Sequence, residues 1–244
     1  MTTAVAPRAV LFDLDDTLFA HRAAVEAGVL ARAAALGWAD ASPADTVARW
    51  FELEEHHYPR YLRGEVPFEE QRRVRAQEFA AAYGATLDAD AATAWFADYL
   101  GEYRAAWTLH EDALDCLDEL SRRIPGVRFG IITNGELDFQ TTKLDAVRLS
   151  ERMSAVIASG EVGVAKPDAA LFRLACDRLG VDPSAAAYVG DRLHTDAIGA
   201  AAAGLMGIWL DRRDTPVLPE HEAEAQRLGV SRITSLTELP PLLA

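Results

Sequence analysis

Four short polar stretches in this chain carry side chains that could do chemistry together. Asp13-Leu14-Asp15-Asp16-Thr17 sets three carboxylates and a hydroxyl within five residues. Thr133-Asn134-Gly135 adds a hydroxyl and an amide, Lys166-Pro167 a cation, and Gly190-Asp191 another carboxylate with Asp196 five residues on. Crowded carboxylates repel one another unless a hard cation joins them. Oxygen ligands of this kind suit Mg²⁺, which keeps several waters and holds a substrate phosphate. A carboxylate can also attack phosphorus to form an acyl phosphate, dividing one difficult hydrolysis into two easier steps. A second carboxylate two residues along can protonate the departing oxygen and later activate water. Lysine, hydroxyl and backbone N–H groups balance the charge on the equatorial oxygens. The chemistry to which this set is suited is phosphoryl transfer.

The elements that must position these groups are legible in the hydrophobic pattern. Residues 8–14 (RAVLFDL) are short, apolar and rich in strand formers, as a buried parallel strand requires. Residues 18–107 are Ala-, Glu- and Arg-rich with helical spacing, broken at Gly37, Ser42-Pro43, Gly64 to Pro67 and Gly84. This stretch holds 14 of the 20 aromatic residues and no evident strand, so a helical bundle inserted after the first strand is expected. Strands and helices then alternate. A helix is expected over 111–123, a strand over 127–132, a helix to about 147 and a short strand over 155–158. The next helix should open at Pro167, which suits the first helical position, and end before Gly180. A strand over 186–189, a helix from Asp196 to Ala203 and a strand over 207–210 complete the pattern.

Such alternation implies right-handed βαβ units. The fold class is therefore α/β: a doubly wound, mainly parallel, Rossmann-like sheet with an inserted helical-bundle cap domain. Residues 1–17 and 108–244 would form the core and 18–107 the cap. In such sheets ligands bind beyond the carboxyl ends of the strands, where all four polar stretches fall.

The four stretches, in this order and with a helical insertion between the first and second, resemble the motifs of the haloacid dehalogenase superfamily of hydrolases over nearly the whole chain. The resemblance implies a Mg²⁺-dependent phosphatase of small phosphorylated metabolites, such as sugar phosphates or nucleoside monophosphates. By it Asp13 is the nucleophile and Asp15 the acid/base. Thr133 and Asn134 hold the phosphate, and Lys166 neutralises it and steadies Asp13. Mg²⁺ sits on Asp13, the Asp15 backbone carbonyl and Asp191, while Asp196 supports the metal waters or Lys166.

Plainer roles compete for several residues. Asp16 and Asp168 read as a turn former and a helix cap, and Asp196 could also open its helix. His194 suits a surface loop, and His56-His57 a helix surface rather than half a metal site. Trp50, Tyr58, Tyr61 and Trp95 read as bundle core. Arg22, Arg60 and Arg63 could recognise substrate, although most cap arginines must be solvated.

Rival activities use parts of the same set. A dehalogenase needs neither metal nor acid, and would leave Asp15 idle. Phosphonate cleavage through a cap lysine is excluded because residues 18–107 contain no lysine. A phosphomutase would keep all four stretches. A non-enzymatic receiver module lacks the helical insertion, and Gly160 to Lys166 fails as a nucleotide loop because Pro167 replaces the needed Ser or Thr.

Bulk properties agree with a globular enzyme. The net charge of -14 argues against nucleic-acid binding and makes a phosphate site dependent on local positive charge. Lys143 and Lys166 are the only lysines. Cys116 and Cys176 form no disulfide framework, and the N-terminal residues lack a signal-peptide pattern, so a reducing cytoplasm is expected. No apolar run approaches the ~20 residues that span a bilayer, so no membrane partner is expected. The chain would act as a monomer or homodimer.

Overall fold

A computed structural model of the chain describes residues 6–38 and 42–244. Six parallel strands form one sheet in the order β3-β2-β1-β4-β5-β6. They are β1 Ala9–Phe12, β2 Arg128–Thr133, β3 Ala155–Ala158, β4 Ala186–Gly190, β5 Met206–Leu210 and β6 Ser231–Ile233. The residues of β1 have no exposed surface, as expected of a strand covered on both faces. Successive connections run outward from β1 on one side and from β4 on the other, so the switch point lies between these two neighbours. Phe12 pairs with Ile131 and with Val189, which brings the ends of β2, β1 and β4 level.

Contacts divide the chain into two compact units, one holding the residues up to Ala20 with Leu109–Ala244, the other His21–Thr108. The second unit contains α1 His21–Ala35, α2 Pro43–Leu62, α3 Phe68–Ala82 and α4 Ala89–Ala105. Ser42 caps α2 by accepting from the Asp45 amide at 3.2 Å, with Pro43 in the first turn, and Asp88 caps α4 in the same way. Trp50 and Trp95 fill the centre of this unit, with ring centroids 5.3 Å apart. Tyr58 and Tyr61 do not join them. They are half-buried; Tyr58 packs on Tyr61, and Tyr61 on Phe68.

His57 also departs from its expected surface position. It is buried, with Nε2 2.9 Å from the Glu78 carboxylate on α3, while His56 is exposed. Glu54 bridges His21 and Arg75. Burial opposes its charge, but Arg75 and His21 hold its carboxyl well below the usual range. Arg63 pairs with Glu65, and Arg22 lies over the Phe51 ring.

In the first unit the remaining helices are α5 Ala113–Arg123, α6 Leu137–Ala146, α7 Ser159–Val162, α8 Ala169–Leu179, α9 Gly199–Ala202, α10 Pro219–Leu228 and α11 Leu239–Leu243. Several element ends shift slightly from the sequence expectations, and three of the differences fall at the polar stretches. β1 stops at Phe12 rather than residue 14, because the Leu14 carbonyl turns to accept from the amides of Leu18 and Phe19. α8 starts at Ala169 instead of Pro167. Asp168 caps it, accepting from the Ala170 amide at 2.8 Å, and the Lys166–Pro167 peptide before it is cis. Asp196 does not open a helix, since a π-helical turn already begins at Leu193. The strand β6 and the helices α7, α10 and α11 had no counterpart in the sequence pattern. Among the described residues no helix is long and apolar enough to cross a membrane.

Candidate active site

The site is built where β1, β2 and β4 end together. Asp13 follows β1, and its amide donates to the Val189 carbonyl of β4 at 2.8 Å. The chain then turns at once: Asp16 takes a positive φ of 61°, a conformation that short polar residues tolerate. That turn returns the Thr17 hydroxyl to within 3.4 Å of Asp13 Oδ2.

Lys166 approaches from the segment before α8. Its side chain is 3% exposed, and Nζ donates to Asp13 Oδ1 at 2.6 Å, Asp196 Oδ1 at 2.7 Å and Tyr188 Oη at 2.9 Å. All three ammonium donors thus have acceptors. The loop carrying Lys166 is held by Asn134, whose side chain accepts from the Lys166 amide at 2.7 Å and donates to its carbonyl at 3.0 Å. The hydrogen bonds of Asn134 therefore hold the Lys166 backbone in place. Asp196 Oδ2 accepts from the Arg192 amide at 2.9 Å, so both oxygens of this carboxylate already have donors.

Carboxylate oxygens of Asp13, Asp191 and Asp196 lie within 4.8 Å of one another. One ammonium cannot neutralise three charges, and the proton affinities show it. Burial, helped by the charges of Asp196 and Asp15 and opposed by Lys166, pushes Asp13 up to about 7. Burial, then Asp13, Asp196 and Asp16, holds Asp191 far above the ordinary carboxylate range. Although burial lowers it, Lys166 is raised by Asp13 and Asp196 and keeps its charge. A set of hard oxygen donors that is short of positive charge fits a divalent cation such as Mg²⁺. Asp13 and Asp191 are the carboxylates best placed to hold it, since Asp196 is committed to Lys166, Tyr188 and the Arg192 amide.

Asp15 stands at the same strand edge with partners that sequence reasoning did not assign. Lys143 Nζ donates to its two oxygens at 2.7 and 2.9 Å, and Gln140 Nε2 donates to Oδ2 at 3.0 Å. Gln140 Nε2 also reaches the Thr133 hydroxyl at 2.6 Å. The one signal in the sequence was the scarcity of lysine, together with an i, i+3 spacing that puts Gln140 and Lys143 on one face of α6. Tyr188 was missed because in mid-strand it reads as core. Arg213, half-exposed after β5, lies 3.7 Å from Asp16 and 3.8 Å from Asp191. His194 is exposed and stacks on His221, with ring centroids 4.5 Å apart.

The profile of the haloacid dehalogenase-like hydrolases matches residues 7–204, which include every residue of this cluster except Arg213. The chain belongs to that family. This hydrolase is 40% identical to a phosphoserine phosphatase of Thermus thermophilus over 135 residues, 55% of this chain and only about half, 53%, of that protein. It is 30% identical to a ribulose-1,5-bisphosphate 5-phosphatase of Halopiger xanaduensis over 97% of this chain and 99% of the other. A magnesium-bound hydrolase of the same superfamily from Bacillus subtilis shares its fold, with a TM-score of 0.78 at 21% identity over 98% of this chain and 99% of the other. Dehalogenases are also among the relatives and the similar structures of this hydrolase.

Proposed function

We propose that this hydrolase is a Mg²⁺-dependent phosphatase of small phosphorylated metabolites that works through an aspartyl phosphate on Asp13. The observation that carries the proposal is the second carboxylate. Asp15 is held at the strand edge beside Asp13 and is joined through Gln140 to Thr133. A dehalogenase has no use for an acid there, because halide leaves without a proton.

Asp13 attacks phosphorus while Lys166 and the hydroxyl of Thr133 balance the oxygens of the transferring group. Asn134 holds that group together with Thr133, and also fixes the backbone of Lys166. Asp15 protonates the leaving oxygen, then takes a proton from the water that opens the aspartyl phosphate. Mg²⁺, held by Asp13, Asp191 and the Asp15 backbone carbonyl, would offset the charge of carboxylate and phosphate, with Asp196 steadying Lys166. The helical unit serves as the cap and carries the specificity. The named activities of the relatives, on phosphoserine and on ribulose bisphosphate, support a small phosphate monoester as substrate. The two cysteines are free and buried, which suits a reducing cytoplasm.

The test is turnover of p-nitrophenyl phosphate with Mg²⁺ or with EDTA, followed by a panel of phosphorylated metabolites. Asp13→Asn should abolish turnover while the protein stays folded. Full activity in EDTA, or substantial turnover by Asp13→Asn, would refute the mechanism.

A further inference from the structure

Lys143 is one of only two lysines, and its side chain is 3% exposed. Burying an ammonium is costly unless it is paired and hydrogen-bonded. A lysine retained in such a place should answer to a specific partner. Its Nζ spans both oxygens of Asp15 and lies 5.1 Å from the centroid of the Phe19 ring and 5.2 Å from that of Phe139. The rings confine the ammonium from the sides, and the carboxylate meets it in front.

Gln140, one turn earlier on α6 and also buried, adds a third hydrogen bond to Asp15 and ties it to Thr133. Its own position depends on Gly135. A Cβ there would stand 2.9 Å from the Gln140 side chain, so only glycine leaves room for the amide to lie across the turn after β2. Three donors on two oxygens fix both the distance and the plane of a carboxylate that a turn residue would otherwise swing freely. Asp15 is itself partly exposed, with 30% of its side chain reached by solvent, so the restraint comes from these donors more than from packing.

We propose that Lys143, with Gln140, is the positioning element for Asp15, aiming its carboxylate at the leaving oxygen and coupling that aim to the phosphate-binding hydroxyl of Thr133. The proposal rests on the acid/base role of Asp15. Misplacing a reacting group by about 1 Å can cost about 10²-fold in rate. Lys143→Met should therefore lower kcat on an alkyl phosphate by about that factor with little change in KM. On p-nitrophenyl phosphate, whose leaving group hardly needs a proton, phosphoenzyme formation should fall much less. Lys143→Arg, which keeps a cation against the carboxylate, should recover part of the loss.

A double-mutant cycle with Asp15→Asn decides the matter by rapid quench on both substrates. If Lys143 acts through Asp15, Lys143→Met adds little to a protein that already carries Asp15→Asn. Independent, multiplicative losses would overturn the positioning role and leave the acid/base role standing. An Asp15→Asn protein that slows alkyl and aryl substrates equally would overturn both. Thermal melts accompany each variant. Should Lys143→Met not fold, Gln140→Met enters the same cycle, and multiplicative losses there would equally reject the proposal.

Discussion

Asp13 and Asp191 each carry a penalty that a cation would relieve. The pKa of Asp13 is about 7 in the fold against 3.8 for the free group. A carboxyl raised in this way binds its proton more tightly folded than unfolded, so it favours the fold while protonated. In metal-free protein this contribution fades as pH rises from about 3.8 to about 7. Mg²⁺ held as proposed would bind the deprotonated pair and compete with those protons. The rise in melting temperature on adding Mg²⁺ should therefore be larger above about pH 7 than below about pH 4. Calorimetry at a series of pH values with Mg²⁺ or EDTA measures it. In Asp191→Asn, which removes one of the proposed ligands, the rise should largely vanish. A pH-independent gain would detach the metal from these carboxylates.

At the scale of elements, strand ends and short turns set the tolerances. A Cβ on Gly190, the last residue of β4, would fall 2.4 Å from Asp196 Cγ and 2.5 Å from its Cβ, near the base of a side chain that cannot swing aside cheaply. Gly190→Ala should push Asp196 off Lys166, lowering activity sharply and destabilising the fold by about 1–3 kcal/mol, as overpacking does. Gly101 is the contrast. It sits inside α4, and a Cβ added there would meet no neighbouring atom within 4 Å. At this position alanine removes only the flexibility of glycine, and Gly101→Ala should raise stability by up to about 1 kcal/mol. Denaturant melts of the two variants test both signs.

For the whole molecule the governing quantity is charge. At -14 the protein would repel an anionic substrate of the proposed kind at long range, and Lys166 would attract it only close by. Salt shortens the range of the repulsion to about 10 Å at 0.1 M. At fixed Mg²⁺, kcat/KM for a phosphate monoester should thus rise modestly with added NaCl. A steep fall would show instead that attraction by a cationic face governs encounter. The α/β class follows from the same scale of description, because alternating strand and helix patterns leave few ways to cover a parallel sheet.

The primary structure by itself determined the four polar stretches, their order and the strands that end in three of them. Each stretch is contiguous, and a strand of apolar residues ending in polar ones announces its own carboxyl end. It also marked the helical stretch between the first two strands, since helix breaks at Gly37, Gly64 and Gly84 are local signals; each of these glycines has a positive φ. Partnerships across the chain were decided only by the tertiary structure. Lys143 meets Asp15 across 128 positions, and Asn134 meets the Lys166 backbone across 32. No local periodicity encodes which face of α6 turns toward the first strand, or that Asn134 should clamp a loop. Burial of His57 and the shared hydrogen bonds of Tyr188 have the same origin. A side chain's type limits what it can bind, but the packing of helices on the sheet chooses the partner, because only there are polar groups withdrawn from water and obliged to find one another.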